Sequence, residues 1–171
     1  MPKHAISPSK VYTLIIPQDI ARDPCPATGE IGNWTGKLVH LYRKRLIKKN
    51  YKPRDDLARP GVYLLFGSIR GKLAVYVGEG EEVIGRVREQ LELSFWRDVV
   101  VFISKDNNVD KAGIKYLEHK IYMEFKNSGI YRVANRRIPT RPAISAADQA
   151  QLDESVPNIL MLASRLTGYR F

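Results

Sequence analysis

The sequence predicts an α+β fold with a small three-stranded sheet core flanked by helices, an N-terminal β/α extension and a C-terminal helix. Three observations predict it. Residues 61–66 and 73–77 are two runs of strand-forming residues separated by a glycine-containing turn, which is typical of a β-hairpin. Residues 81–93 carry apolar side chains at four-residue steps, which indicates a helix. The nearly continuous apolar run 98–103 suits a strand buried on both faces.

A second helix is predicted to begin at Asp110 and to end near Asn127. Aspartate is a favoured N-cap residue, and Gly129 can adopt the conformation that ends a helix. The apolar side chains between them recur at helical spacing: Ile114, Leu117, Ile121 and Phe125. Within the predicted core, residues 59–141, the order of elements is therefore strand, strand, helix, strand, helix.

Residues 1–58 form a predicted N-terminal basic extension. In it, residues 11–16 favour a short strand, and the sequence from 18 to 36 favours a loop because it is rich in Asp, Pro, Gly and Asn. Residues 38–42 favour a further strand and 43–50 a short helix, although the pattern leaves strand and helix open across this stretch.

Residues 142–171 form a predicted C-terminal helical extension. Ser145 and Asp148 resemble a capping box, which marks the start of a terminal helix. Pro157 is expected to kink or restart that helix. The last three residues, 169–171, carry two aromatic rings that we expect to dock on the core.

Positive charge dominates the composition. The chain has 171 residues and a formal net charge of +10, with a sequence pI near 9.8. Residues 37–54 contain eight Lys or Arg and no acid, and residues 132–141 contain four Arg and no acid. Many basic runs are only solvated surface, but two acid-free clusters in one small chain favour a nucleic acid partner.

Membrane, secreted and metal-cluster proteins are disfavoured. No apolar run approaches the roughly 18–20 residues that span a bilayer, and the first residues lack the apolar segment of a secretory signal. We therefore expect a cytoplasmic protein with no membrane partner. The single cysteine, Cys25, excludes an internal disulfide, and the three histidines show no metal-ligand spacing.

Four side chains of the core could carry chemistry. Glu118 lies on the apolar side of its helix, where a carboxylate needs an ion pair, a metal or the rim of a cleft. Arg86 can pair with Glu89 on the helix surface, or present its planar fork of donors to a phosphate. Tyr63 and Tyr76 either pack in the sheet or bring two hydroxyl groups to one point.

These residues together resemble the GIY-YIG nuclease family. Gly61-Val62-Tyr63 corresponds to its first motif and Tyr76-Val77-Gly78 to its second, with valine in place of isoleucine in both. Arg86 falls in the helix that follows, Glu118 in the second helix and Asn135 in the downstream loop. The resemblance covers under half of the chain, and the predicted order of elements is the order of that family's core.

One position departs from the pattern of some family members. Those members carry a histidine one helical turn after the arginine, where this chain has Gln90, which cannot act as a base. The flanking sequences 32–37 and 159–171 also look like those of a bacterial subgroup with this core.

The resemblance implies a metal-dependent endonuclease that hydrolyses phosphodiester bonds in DNA. Glu118 would hold a single divalent ion, Mg²⁺ or another such as Mn²⁺. Arg86 would stabilise charge that develops on the phosphate. Tyr76 would help to orient the attacking water, and Asn135 would brace the site through hydrogen bonds.

The role implied for Tyr63 depends on its pKa. This tyrosine would position or deprotonate the attacking water, but a free phenol has a pKa near 10 and is a poor base at neutral pH. Acting as a base would require a lowered pKa, which a nearby Arg86 or Lys72, or the metal site, could supply.

Eight basic side chains are expected to contact nucleic acid phosphates: Lys44, Arg45, Lys48, Lys49, Lys72, Arg88, Arg136 and Arg137. Binding would then weaken steeply with added salt. DNA is the expected partner, RNA is not excluded, and the segments outside the core allow a homodimer. The alternative is a nucleic-acid-binding module of the same fold that cleaves weakly or not at all; a structural protein with incidental charge comes third.

Overall fold

Seven strands form a single sheet in the part of the chain that the computed structural model describes, residues 10–17 and 26–171. The strands are β1 Tyr12–Ile15, β2 Ala27–Ile31, β3 Gly36–Tyr42, β4 Gly61–Ile69, β5 Lys72–Gly80, β6 Trp96–Ser104 and β7 Arg132–Val133. The helices are α1 Arg43–Leu46, α2 Val83–Glu89, α3 Lys111–Ser128 and α4 Ala146–Thr167. Short 3₁₀ turns occupy Asp55–Leu57 and Gln90–Glu92.

The architecture is α+β, as the sequence predicts, but the prediction of a three-stranded sheet was wrong. The strand order is β1-β2-β3-β6-β4-β5-β7. The three strands that were expected lie side by side as β6-β4-β5, and the N-terminal strands extend the sheet because β3 pairs with β6 along its whole length. Each pairing is antiparallel except that of β5 with β7.

The sequence predicts a loop from residue 18 to residue 36, which is wrong for Ala27–Ile31 because these residues form strand β2. Residues 18–25 of that predicted loop, which include Cys25, lie outside the described residues. The sequence of β2, ATGEI, has a weak strand propensity, yet the strand pairs with β1 on one side and β3 on the other. Gly29 at its centre leaves room for Leu162 and Leu166 of α4, whose side chains would contact a Cβ at this position.

The turn between β4 and β5 is shorter than the sequence predicts, where a glycine-containing turn separates residues 61–66 from residues 73–77. Both strands run on to a two-residue turn, Arg70-Gly71, and both of these residues have positive φ (52° and 75°). Positive φ at both central positions is typical of the type I′ turn, which matches the twist of paired strands. Gly67 lies inside β4 at a register shift, where a Cβ would overlap the backbone of Phe95.

The helix boundaries follow the predicted capping residues closely. The Asp110 side chain accepts a hydrogen bond from the Gly113 N–H (2.8 Å), and Gly129 ends α3 in the left-handed region. Ser145 caps α4 by accepting from the Asp148 N–H (3.1 Å). Helix α4 is continuous through Pro157, so the expected restart is absent.

Helices cover both faces of the sheet. One face of β4, with Val62, Leu64 and Phe66, packs with α3 and α4, while Tyr63 and Leu65 face the opposite side with α1 and α2. The chain end docks on the first face, where the Phe66 ring lies 5.0 Å from that of Tyr169 and 5.4 Å from that of Phe171. None of the helices in the described ranges is long and apolar enough to cross a membrane.

Candidate active site

The glycine of the second motif provides space for the tyrosine of the first. Tyr63 of β4 lies directly opposite Gly78 of β5, and its ring covers the glycine. A Cβ at residue 78 would overlap the aromatic ring and hydroxyl of Tyr63. The two motifs therefore fit together as one unit, because only glycine lets the ring lie flat on the neighbouring strand.

Gly80 provides space for the side chain of Arg86 in the same way. The aliphatic stem of Arg86 lies over Gly80, where a Cβ would overlap its Cγ. On the other side of the hairpin, Gly61 pairs with Gly80 and lies against the carbonyl oxygen of Phe102. This end of the hairpin, where β5 leads into α2, is thus shaped by glycines so that Tyr63 and Arg86 approach each other.

The Tyr63 phenol is buried and neutral. Its ring lies 6.1 Å from that of the half-buried Tyr76, nearly parallel to it, and only 1% of Tyr63 is exposed. Burial raises the pKa of Tyr63 well above its ordinary value, the neighbouring Tyr76 raises it further, and the opposing effect of Arg86 is smaller. The charge of Arg86 therefore does not supply the lowered pKa that a phenolate base would require, and a neutral hydroxyl group can position a water molecule without taking its proton.

Arg86 lies on α2 with half of its side chain exposed. Its guanidinium forms an ion pair with Glu89, one turn along α2, as the helical spacing predicts. The positive charge of the same guanidinium acts on both Tyr63 and Glu118 and lowers the pKa of each. An exposed ion pair of this kind contributes about 0–1 kcal/mol, and a phosphate can replace the carboxylate at small cost.

Glu118 is a half-buried carboxylate on α3. Burial raises its pKa to about 7, and Glu79 raises it further, while Lys115 and Arg86 act in the opposite direction. The carboxylate forms no hydrogen bond and no ion pair with any other described residue. The ionised group therefore lacks a partner inside the protein, which is unusual for a carboxylate at this depth.

The raised pKa predicts that Glu118→Gln stabilises the protein at alkaline pH. Because the folded pKa exceeds the ordinary value of 4.5, the fold favours the protonated acid, and the ionised acid costs stability once the pH rises through about 7. After allowance for solvent screening, we expect the variant to be about 1–2 kcal/mol more stable at pH 8. Near pH 4.5 the two proteins should agree within about 0.5 kcal/mol. Urea unfolding at both pH values measures this, and an equal difference at both would contradict it.

Asn135 braces β5 beyond the end of the short strand β7. Its side-chain amide donates to the Val77 carbonyl oxygen (2.7 Å) and accepts from the Val77 N–H (3.0 Å), so it acts as one more step of strand pairing. The adjacent Ala134 N–H donates to the Val75 carbonyl oxygen (2.7 Å). Asn135 thus fixes the strand that carries Tyr76 and Gly78.

We expect Asn135→Ala to cost about 2 kcal/mol of folding stability. The change leaves the N–H and the carbonyl of Val77 unpaired at a partly buried edge of the sheet, and unsatisfied groups of this kind cost more than a hydrogen bond gains. Chemical denaturation measures the loss, with Asn127→Ala, an exposed position at the end of α3, as the control. Equal stability of the two variants would contradict the bracing role.

A cleft of about 730 Å³ lies along the β5 edge and joins these groups. Tyr76, Glu118 and Asn135 line it, together with Arg136, Arg137, the 3₁₀ turn that contains Gln90, and Glu89. The loop on its far side is tied to α3, because His119 Nδ1 donates to the Pro139 carbonyl oxygen (2.8 Å). Three of the five residues that the sequence singled out therefore line one cleft. The other two do not line it: Tyr63 is buried next to Tyr76, and Arg86 is near enough to lower the pKa of Tyr63 and of Glu118.

The basic side chains divide among several places. Arg136 and Arg137 lie at the rim of the cleft. Lys72 lies six residues along β5 from Gly78, roughly 20 Å away at about 3.4 Å per residue, so it neither lines the cleft nor acts on Tyr63. Arg45 and Arg88 both lower the pKa of Tyr51 on the α1 side of the sheet. The remaining three, Lys44, Lys48 and Lys49, are exposed in or after α1.

Comparison with known proteins adds no assignment. No family model, no curated protein and no solved structure matches this chain. The resemblance to the GIY-YIG family therefore rests on the sequence motifs alone.

Glu79 is the functional candidate that the sequence reasoning missed. It follows the second motif directly, and the alternation of β5 places it on the same face as Val75 and Val77, against which α3 packs. Its charge acts on Glu118 more strongly than any other neighbouring charge does. The signal was available in the strand period, which puts residue 79 on the side of the sheet that carries Glu118.

The donor set suits a cation that keeps most of its water. Among the described residues, no three His, Cys, Asp or Glu side chains cluster closely enough to hold a metal ion. Glu118 without a partner, with Glu79 nearby, instead offers one or two carboxylates at a solvated cleft. Mg²⁺ is commonly bound in this way, through one or two carboxylates with water and substrate phosphates as the other ligands.

Proposed function

We propose that this chain is a metal-dependent endonuclease that hydrolyses phosphodiester bonds in DNA, with a GIY-YIG-like core made of β4, β5, α2, β6 and α3. The observation that carries the proposal is a single cleft lined by Tyr76, Glu118, Asn135 and two arginines, with Tyr63 and Arg86 next to the residues that line it. Unpaired Glu118 and exposed Arg86 supply the two features that phosphoryl chemistry needs, a cation ligand and an anion-stabilising donor.

Each residue has a defined task in this proposal. Glu118 would hold the divalent ion, which when bound neutralises charge on the scissile phosphate and the leaving oxygen. Arg86 would exchange Glu89 for two phosphate oxygens, which its planar fork matches. Tyr63 would hold the attacking water through its neutral hydroxyl group, and Tyr76 would fix the ring of Tyr63 by stacking.

A nucleic-acid-binding module without cleavage is the second candidate. Two observations favour it: Arg86 is paired with Glu89, and Gln90 lines the cleft where some family members carry a histidine. This module would bind DNA through the same basic side chains and would gain nothing from Mg²⁺. RNA as a partner, a homodimer and a cytoplasmic location remain predictions from the sequence.

The test is nicking of supercoiled plasmid by the purified chain with Mg²⁺ and with EDTA, together with DNA binding at several salt concentrations. We expect nicking with Mg²⁺ only, and binding that weakens steeply as salt is added. Binding without nicking would favour the module. Neither binding nor nicking would overturn both proposals.

A further inference from the structure

A second cleft, of about 600 Å³, lies where β3 ends and β6 begins. The two clefts are adjacent at the chain segment around residue 93, since Leu93 lines the first cleft while Ser94 and Trp96 line the second. Arg43, which lines the second cleft, donates a hydrogen bond to the carbonyl oxygen of Leu91 (2.7 Å), two residues before Leu93. A flexible chain that leaves one cleft over this segment therefore enters the other.

Positive charge exceeds negative charge in the second cleft, although the Tyr169 hydroxyl group and the Asp98 carboxylate both act on Arg97 and raise its pKa. Arg43, Lys44 and Arg97 line the cleft, and none of them forms a salt bridge with another described residue. Arg43 lies over the Trp96 ring and Lys44 over the Tyr42 ring, so both cations contact aromatic faces.

The one acid of the cleft, Asp98, is already engaged. One of its oxygens lies 2.9 Å from His40 Nε2, and the other accepts a hydrogen bond from the Tyr169 hydroxyl (3.2 Å). His40 is itself almost fully buried. Three cations therefore face the cleft against a single carboxylate with two polar partners, which favours an anionic ligand.

The cleft also has a wall suited to an aromatic base. Tyr42 is half-buried, and the side chains of Ile47 and Leu166 add apolar surface beside it. Cations beside a concave wall with an aromatic ring are the features that bind single nucleic acid strands.

We propose that the second cleft binds one unpaired nucleotide of the DNA strand whose phosphodiester lies in the first cleft. Lys44 and Arg97 hold its phosphate, and its base packs against Tyr42. A base inside a duplex has both faces covered by neighbouring bases, so only a base outside the helix can reach this wall. This inference rests on the proposed nuclease function and narrows its substrate class to DNA with a single-stranded stretch beside the cleavage point.

The test is fluorescence anisotropy with a labelled oligo-dT strand and with a blunt duplex, in EDTA so that no cleavage occurs. We expect Tyr42→Ala to weaken binding of the single strand about 5- to 100-fold, the range that one lost stacking contact gives, and to leave duplex binding within about 2-fold. Tyr42→Phe keeps the ring and should bind as the parent does.

Lys44→Ala has a matched control. Lys126 lies over the Tyr122 ring as Lys44 lies over Tyr42, but it lines neither cleft. Lys44→Ala should reduce the salt slope of single-strand binding by about 0.7, and Lys126→Ala should leave it unchanged. Both lysines are exposed, so these variants decide the matter even if Tyr42→Ala fails to fold.

Three results would overturn the inference. They are Tyr42→Ala binding the single strand as tightly as Tyr42→Phe, equal effects of Lys44→Ala and Lys126→Ala, and full displacement of the strand by an excess of dTMP, which would make the site one for free nucleotides. Binding is measured without metal, so it is separate from nicking. If the parent chain nicks DNA but these variants bind the single strand as the parent does, the role of the second cleft is rejected and the nuclease proposal stands. If strand binding depends on Tyr42 but the parent chain does not nick DNA, the nuclease proposal is rejected and the binding site stands.

Discussion

We expect Glu118→Gln to reduce Mg²⁺-dependent nicking of plasmid DNA by about 10²-fold or more and to bind DNA as tightly as the parent chain does. The amide occupies the same space but cannot supply the negative charge that holds a divalent ion. The several kcal/mol that a metal ion contributes to phosphate chemistry correspond to this loss of rate. Binding is kept because phosphate contacts come from the basic side chains and not from the carboxylate.

Glu124→Gln is the matched control for this result. Glu124 lies on the same helix as Glu118 but is exposed, and the substitution makes the same change in net charge. We expect it to nick DNA at the rate of the parent. Nicking by Glu118→Gln at a rate equal to that of Glu124→Gln would contradict the role of Glu118.

Gly78→Ala is expected to cost about 2–3 kcal/mol of folding stability, because the added methyl group overlaps the buried ring of Tyr63. For a chain of this size the loss lowers the melting temperature by about 4–12 °C. Tyr63 must move to relieve the overlap, so nicking should fall together with stability. Circular dichroism during heating measures the first effect, and plasmid nicking below the transition measures the second.

Gly32→Ala provides the comparison for a glycine with open space around it. A Cβ at residue 32 meets nothing within 4 Å, so this change should be within about 0.5–1 kcal/mol of the parent. Combining Gly78→Ala with Tyr63→Val removes the clash, and the double variant should lose less stability than the sum of the single changes. Additive losses would show that the ring of Tyr63 does not determine the need for glycine.

Local signals explain why the central elements could be predicted. Capping by Asp110 and Ser145 depends on residues within three positions, and the alternation of β4 and β5 is visible in the sequence itself. Strand β2 could not be predicted in this way, because its own residues have a weak strand propensity and the α4 side chains that pack over Gly29 lie far along the chain. The seven-stranded sheet also depends on pairings between strands far apart in the chain, such as β3 with β6.

For the candidate site, the identity of the residues could be predicted from the sequence, but their chemical state could not. The motif spacing indicated five residues, of which Tyr76, Glu118 and Asn135 line one cleft, while Tyr63 and Arg86 lie beside it. The chemical state of these groups followed from burial, which the sequence does not show. Burial keeps Tyr63 neutral and raises the pKa of Glu118 to about 7, so the tyrosine is suited to holding water and the acid to receiving a cation.

The most direct test of the central claim is the rate of single-turnover plasmid nicking as Mg²⁺ is titrated, for the parent chain and for Glu118→Gln. For the parent chain we predict a nicking rate that rises with Mg²⁺ concentration to a plateau and falls to zero in EDTA. For Glu118→Gln we predict no nicking at any Mg²⁺ concentration. Saturable Mg²⁺-dependent nicking by Glu118→Gln, or nicking by the parent in EDTA, would contradict it.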